Sequence, residues 1–342
     1  MKIAQTIIFL ILAISCLGQR KSNIANEYSH FQITLKKDTI DFVVADTSLT
    51  VKKPVLLFCQ GSQPVPLFFD FPDQGIIPVA LNNFDVNEMK KHYHVVVISM
   101  PKTPLIVGSQ HLNAQYNYIT DTSNQYSYSL DYLKADYSEN YVNRANTVIK
   151  FLRKQKWVNS DKIVVAGHSQ GARVAVGIAS SNKDITELGL FGYNPNGRID
   201  QSIRQSRKNA ESGKISWKKA DSLQQEQYDF YKSIQSKDSA EVHPSLISWK
   251  SFSKPTINDL VKLKIPVYIA YGSQDIVADY CDLLPLFFIE NNKTNYAIKR
   301  YPNLEHNFFP IKSDGQPDHR QGKWHEVMNS FVNWSMSTID TK

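Results

Sequence analysis

The chain has 342 residues, of which 42% are hydrophobic and 21% charged, and a formal net charge of +7. With three cysteines, that mixture excludes a disordered tail, a collagen-like rod and a disulfide-stapled miniprotein. It allows one large α/β domain or two small ones, either able to bury a substantial core.

At the amino end, Lys2 precedes an uncharged apolar run over 7–14, and polar Gln19-Arg20-Lys21-Ser22-Asn23 follows soon after. The run is short for a bilayer span and reads as a secretory signal peptide, residues 1–18, cleaved after the small residue Gly18. The alternative is lipid attachment at Cys16, within Ala13-Ile14-Ser15-Cys16, which would anchor the protein to a membrane. Export to a periplasmic or extracellular space is therefore expected. Loss of Lys2 takes the formal charge from +7 to +6, and of the three cysteines only Cys59 and Cys281 reach the oxidising compartment.

Alternation over 31–35 and 40–44, around Lys37-Asp38, predicts an antiparallel hairpin. Near-continuous apolar runs at 55–58, 95–98, 163–166, 188–191 and 265–270 predict strands buried on both faces. Residues 296–301 predict a last strand at a sheet edge. Tyr141, Ala145, Val148, Ile149 and Leu152 recur at helical spacing, and further helices are predicted over 170–179 and 322–336. Strands alternating with helices predict an α/β fold with a mostly parallel sheet covered on both faces.

Two insertions interrupt this rhythm. One, 101–136, is rich in Tyr, Asn and Ser; the other, 198–259, has polar helix-like segments with Trp217, Tyr228, Phe230, Tyr231, Trp249 and Phe252. Neither shows a second set of buried strands, so the expectation is a single domain over 19–342 with a cap near 198–259. The densest basic stretch, Arg204, Arg207, Lys208, Lys214, Lys218 and Lys219, is interleaved with Glu211 and Asp221. It reads as a solvated helix face rather than a nucleic-acid groove.

Gly167-His168-Ser169-Gln170-Gly171 follows the 163–166 run and opens the 170–179 helix. A serine on a sharp strand-to-helix turn points its hydroxyl away from the sheet, and flanking glycines are required where side chains would collide. The helix start adds N–H groups and positive dipole beside the reacting carbon. A hydroxyl still needs a base, and the base an orienting acid. Asp275 follows the 265–270 strand and His306 follows the 296–301 strand, which puts both on the same sheet edge as Ser169. Asp275 also fits an N-cap for a segment starting near Ile276, and Asp279 or Asp282 are the alternative acids. The 55–58 strand runs into Cys59-Gln60-Gly61-Ser62-Gln63, where backbone N–H groups of Ser62 and Gln170 are the expected oxyanion donors.

On these residues the chain resembles α/β-hydrolase-fold serine hydrolases of the esterase and lipase type, over about 31–334. The resemblance lies in the Gly167-His168-Ser169-Gln170-Gly171 elbow, the Gly272-Ser273-Gln274-Asp275 loop and the late His306. It departs at the oxyanion loop, which carries Gln60-Gly61 where the family usually has His-Gly. The resemblance implies a sheet of about eight strands, a Ser169–His306–Asp275 triad and hydrolysis of an ester or related acyl bond on a small molecule. It also implies a strand order that keeps Cys59 apart from Cys281, with Cys59 a buried apolar residue.

His92, His94 and His111 lack acids at metal-ligand spacing, and neither metal nor cofactor is expected. Tyr116, Tyr118, Tyr126, Tyr128 and Tyr132 either form an aromatic wall for a sugar or aryl group or pack beneath long loops. A peptidase or thioesterase on the same triad, and a non-catalytic binding protein of the same fold, are the competing functions.

Overall fold

The computed structural model describes residues 18–36, 38–236 and 243–338. Residues 1–17, with Cys16, and Lys37, one of the two residues around which the hairpin is expected, lie outside them.

The hairpin forms as its alternation predicts, from β2 (Tyr28–Thr34) and β3 (Thr39–Val44), with Ile33 opposite Ile40 and Phe31 opposite Phe42. A polar strand, β1 (Gly18–Ile24), pairs antiparallel with β2 and begins at the residue after which cleavage is expected. Its sequence Gly-Gln-Arg-Lys-Ser-Asn-Ile carries almost no apolar signal, and it brings the sheet to nine strands rather than about eight.

Next come β4 (Lys53–Cys59), β5 (Phe68–Phe71), β6 (Gly75–Pro78), β7 (His94–Ile98) and β8 (Ile106–Gly108). The remaining strands are β9 (Val158–His168), β10 (Glu187–Phe191), β11 (Val267–Gly272) and β12 (Tyr296–Tyr301). The main sheet has the order β1-β2-β3-β7-β4-β9-β10-β11-β12, parallel from β7 to β12, with β12 at the edge as predicted. β11 starts two residues later than its apolar run, since Pro266 has no N–H to give a ladder. A second sheet, β6-β5-β8, corrects the expectation that the insertions hold no further strands, because β8 lies in the first of them. Its strands are three or four residues long, too short to show a period.

Alternate residues of the central strands point to opposite faces, and each face has its own core. Leu57, Val165, Leu190 and Ile269 meet α3 (Ser138–Leu152) and α4 (Gln170–Ser181). Leu56, Val164, Phe191 and Tyr268 meet α1 (Val86–His92) and α10 (Trp324–Ser337). Each such side chain, when fully buried, contributes about 1.5–3 kcal/mol.

Between β10 and β11 lie α5 (Arg198–Glu211), α6 (Trp217–Gln235), α7 (Ser245–Phe252) and α8 (Ile257–Lys262). The short α2 (Leu130–Ala135) precedes α3, and α9 (Leu284–Glu290) follows β11. Among the described residues no helix is long and apolar enough to cross a membrane. The basic stretch of α5 is not wholly solvated. Arg204 turns inward to Asp200 at 2.8 Å and Asp279 at 3.3 Å, while Arg207 stays exposed beside Glu211.

The chain runs outward from β4 to β7 and then returns to β9 on the other side of β4. That reversal opens a crevice beyond the carboxyl ends of β4 and β9. In register, Cys59 faces Gly167 and Phe191 faces His168, so the loops that follow these strands share one rim.

Candidate active site

Ser169 follows β9 directly and caps α4 with φ 57° and ψ −122°, a backbone region costing a non-glycine residue about 1–3 kcal/mol. Its N–H donates to Phe191 O at 2.9 Å, which pins the turn to the end of β10. The two glycines of the elbow are there for space. A Cβ on Gly167 would lie 2.2 Å from Gly171 O, and one on Gly171 2.2 Å from Cys59 O. Helix α4 can thus start immediately, with its first N–H groups having no carbonyl of their own helix to reach.

The loop expected to receive an oxyanion, after β4, lies against this turn. A Cβ on Gly61 would sit 3.8 Å from Ser169 Cβ, and Gln60 Nε2 ties the loop to Ile98 O at 3.2 Å. Gln63 takes a positive φ of 81°. Ser62, Ser169 and Gln170 line one cleft of about 90 Å³. A second cleft of about 210 Å³ shares Ser62 but is walled by Gly61, Phe58, Val79, Phe84 and Trp324.

Asp275 and His306 meet at this rim. His306 Nδ1 donates to Asp275 Oδ2 at 2.9 Å, with the carboxylate fully buried and the imidazole 23% exposed. The other carboxylate oxygen accepts Val277 N–H at 2.8 Å, so Asp275 shapes its own turn as well as holding the histidine. The alternative acids point elsewhere. Asp279 pairs with Arg204 and Lys208, and Asp282 with Tyr271 and Arg300. Gly192, just past β10, is the spacer between elbow and imidazole: a Cβ there would come within 3.0 Å of His306 Cε1 and 3.2 Å of Asp275 Oδ2.

The sequence pattern gave no role to His168. Its ring lies 4.7 Å from that of His306 and 4.9 Å from Trp324, edge-on. Its Nε2 is 2.9 Å from His306 O, and a carbonyl only accepts, so Nε2 carries the proton. Burial, then the neighbouring His306, push its pKa down to about 3. His168 therefore stays neutral and holds the backbone of His306 while Asp275 holds its ring.

Three further residues beside Ser169 also escaped the pattern. Arg198 donates to Ser248 Oγ at 2.8 Å and to Gln170 Oε1, with its guanidinium carbon 4.9 Å from the Phe252 ring. Arg173 donates to Asn194 O at 2.5 Å and to Lys254 O. Asp136 accepts Tyr141 Oη at 2.8 Å, Ser248 Oγ at 2.7 Å and Gln170 Nε2 at 3.4 Å. No local motif marks them, because their partners lie in distant insertions.

The five tyrosines of 116–132 line neither cleft beside Ser169. Tyr132 is buried near Tyr128, Tyr116 stacks on Phe69, and Tyr126 is 79% exposed. Cys59 and Cys281 are both free, Cys281 buried and Cys59 only partly so. Among the described residues no group of His, Cys, Asp or Glu could hold a metal ion.

No protein-family model and no curated protein matches the chain. Among solved structures it is similar to an acylaminoacyl peptidase in complex with Z-Gly-Gly-Phe-chloromethyl ketone, with TM-score 0.50 and 14% identity over 89% of this chain and 41% of that one. It is also similar to acetyl xylan esterase 1 from Thermoanaerobacterium sp. JW/SL YS485, with TM-score 0.46 and 15% identity over 87% and 84% of the two chains. An esterase from Pyrococcus furiosus gives TM-score 0.48 and 13% identity over 82% and 83%. Likeness at such identities concerns the fold alone. With the sheet order above, it defines the class: the chain has the α/β-hydrolase fold. It spans less than half the length of the peptidase it matches.

Proposed function

We propose that the chain is an exported serine hydrolase that cleaves a carboxylic ester or related acyl bond through an acyl-enzyme. Ser169 is the nucleophile, His306 the general base, and Asp275 the residue that orients it. The observation that carries this reading is the 2.9 Å contact of His306 Nδ1 with buried Asp275, at the rim where the Ser169 elbow stands.

With Nδ1–H committed to the carboxylate, Nε2 of the neutral ring accepts the Ser169 proton as Oγ attacks the carbonyl carbon. The oxyanion is received by the N–H groups of Ser62 and Gln170 at the positive end of α4. His306 returns the proton to the leaving group. It then takes a proton from water, which attacks the acyl-enzyme and releases the acid.

The substrate is a small acyl compound, with no nucleic-acid partner and membrane contact only through a lipid on Cys16. Export rests on the signal-like residues 1–18. A fluorophosphonate probe is expected to label the wild type at Ser169 and to leave Ser169→Ala unlabelled. An unlabelled wild type overturns the reading in favour of a binding protein. Hydrolysis of peptide anilides in preference to p-nitrophenyl esters would make it a peptidase. Mass spectrometry showing acylated Cys16 would replace soluble export by a membrane anchor.

A further inference from the structure

Beside Ser169 lie two guanidinium groups with no carboxylate of their own. Arg173, on the first turn of α4, is 5% exposed; its hydrogen bonds go to the neutral carbonyls of Asn194 and Lys254, and its buried Nε has no partner. Arg198, the first residue of α5, donates to the neutral oxygens of Ser248 and Gln170. Among the described residues neither arginine has an acidic oxygen within 4.0 Å. Arg204 on the same helix shows the ordinary arrangement, with Asp200 at 2.8 Å and Asp279 at 3.3 Å.

Ser62, Ser169, Gln170, Arg173, Arg198 and Gln201 line the cleft of about 90 Å³. Two helix amino ends thus converge on it, that of α4 after Ser169 and that of α5 after Gly197, which makes no side-chain cap. Aligned N–H groups at both ends add positive potential to that of the arginines. The carboxylates whose charge reaches them are Asp136 at Arg198, whose oxygens already accept from Tyr141, Ser248 and Gln170, and Asp200 at Arg173, already paired with Arg204. With both carboxylates engaged elsewhere, neither guanidinium has one in direct contact, which suits an incoming monoanion.

We infer that the substrate of Ser169 carries a carboxylate, bound between Arg173 and Arg198 at the amino ends of α4 and α5. Its place in a reaction rests on the proposed chemistry of Ser169; the anion site itself does not. Burial lowers the pKa of both guanidinium groups, with Asp136 opposing the shift at Arg198 and Asp200 opposing it at Arg173. A planar carboxylate can accept from a guanidinium through two parallel hydrogen bonds. The other cleft, of about 210 Å³, is lined by Phe58, Phe84 and Trp324 together with the neutral Gln60, Asn83 and Asn307, and suits an uncharged part of the same molecule. Ser62 lines both, and Ser169 lines the smaller.

Two pairs of esters test this on the wild type. Mono-p-nitrophenyl glutarate is compared with p-nitrophenyl methyl glutarate, and 3-acetoxybenzoate with phenyl acetate, so that the charge sits on the acyl side or the alcohol side. At least one charged member is expected to exceed its neutral partner about tenfold or more in kcat/KM. Arg198→Met keeps an apolar stem over Trp249 and Phe252 and is expected to bring that ratio to about one. Calorimetry with monomethyl glutarate on Ser169→Ala, with and without Arg198→Met, measures the site apart from catalysis; about tenfold weaker binding in the double variant is expected.

A fluorophosphonate-labelled wild type with both ratios at or below one, and no carboxylate binding, overturns the anion site and leaves the hydrolase reading intact. An unlabelled wild type whose carboxylate binding depends on Arg198 supports the anion site and overturns the hydrolase. If Arg198→Met does not fold, the wild-type ratios and wild-type binding decide.

Discussion

Strands β9 and β10 carry a polar cluster at each end, built on opposite plans. At their amino ends Lys162 and Glu187 form a buried pair at 2.9 Å. Ser335 donates to Glu187 and shares a 2.7 Å hydrogen bond with Tyr93, Thr338 donates to Glu187 at 2.5 Å, and Lys162 also reaches Ser335 O at 2.5 Å. That cluster is closed: the charges compensate one another and the side chains are buried. At the carboxyl ends Ser169 sits at a strained φ, His306 is partly exposed, and two arginines line a cleft with no carboxylate in direct contact. Closed polar networks hold strands and helices in place, whereas open ones keep bonding capacity for a molecule that arrives from outside.

The contrast predicts activity without stability loss at one end and the reverse at the other. The largest effect is expected for Ser169→Ala, which should lower ester hydrolysis by about 10⁴-fold or more at an unchanged unfolding midpoint, by p-nitrophenyl ester assay and calorimetry. Asp275→Asn should follow with a loss of about 10³–10⁴-fold, because the amide no longer fixes the imidazole tautomer. Asp279→Asn, by the same assay, should remain within about tenfold of wild type. An equal loss in the two would move the orienting acid.

Glu187→Gln inverts the pattern. It strands the Lys162 charge and should cost about 3–5 kcal/mol in urea unfolding, with the fluorophosphonate labelling rate of the folded fraction unchanged. A stable variant with slowed labelling would mean that the two clusters are coupled.

The smallest effect concerns His168. Its pKa in the folded chain, about 3, lies below the ordinary value of about 6.5, so on acidification the unfolded chain takes up the proton first. The stabilisation is complete above about pH 6.5 and is lost as pH falls toward 3. Between pH 7 and 4.5 this group should remove about 2–3 kcal/mol from the unfolding free energy. In His168→Gln that share of the acid sensitivity should disappear.

Much of the rim was legible before any coordinates, for a local reason. The elbow needs glycines at 167 and 171, which print a contiguous motif, and strands buried on both faces print apolar runs. Asp275 and His306 were placed by their position just past strands, a consequence of parallel topology alone. β1, β5, β6 and β8 were missed, the first being polar and exposed and the others only three or four residues long.

The amino-acid order by itself determined the sheet's central strands, the Ser169 turn and the places of Asp275 and His306 just past strands, because each depends on neighbours a few residues away. Only the tertiary structure decided that Asp275 rather than Asp279 or Asp282 meets His306, that His168 is held neutral, and that Arg173 and Arg198 line a cleft with Ser169 with no carboxylate in direct contact. Those outcomes depend on which groups, dozens of residues apart, come within hydrogen-bond reach and lose their water, and a linear pattern carries no record of either.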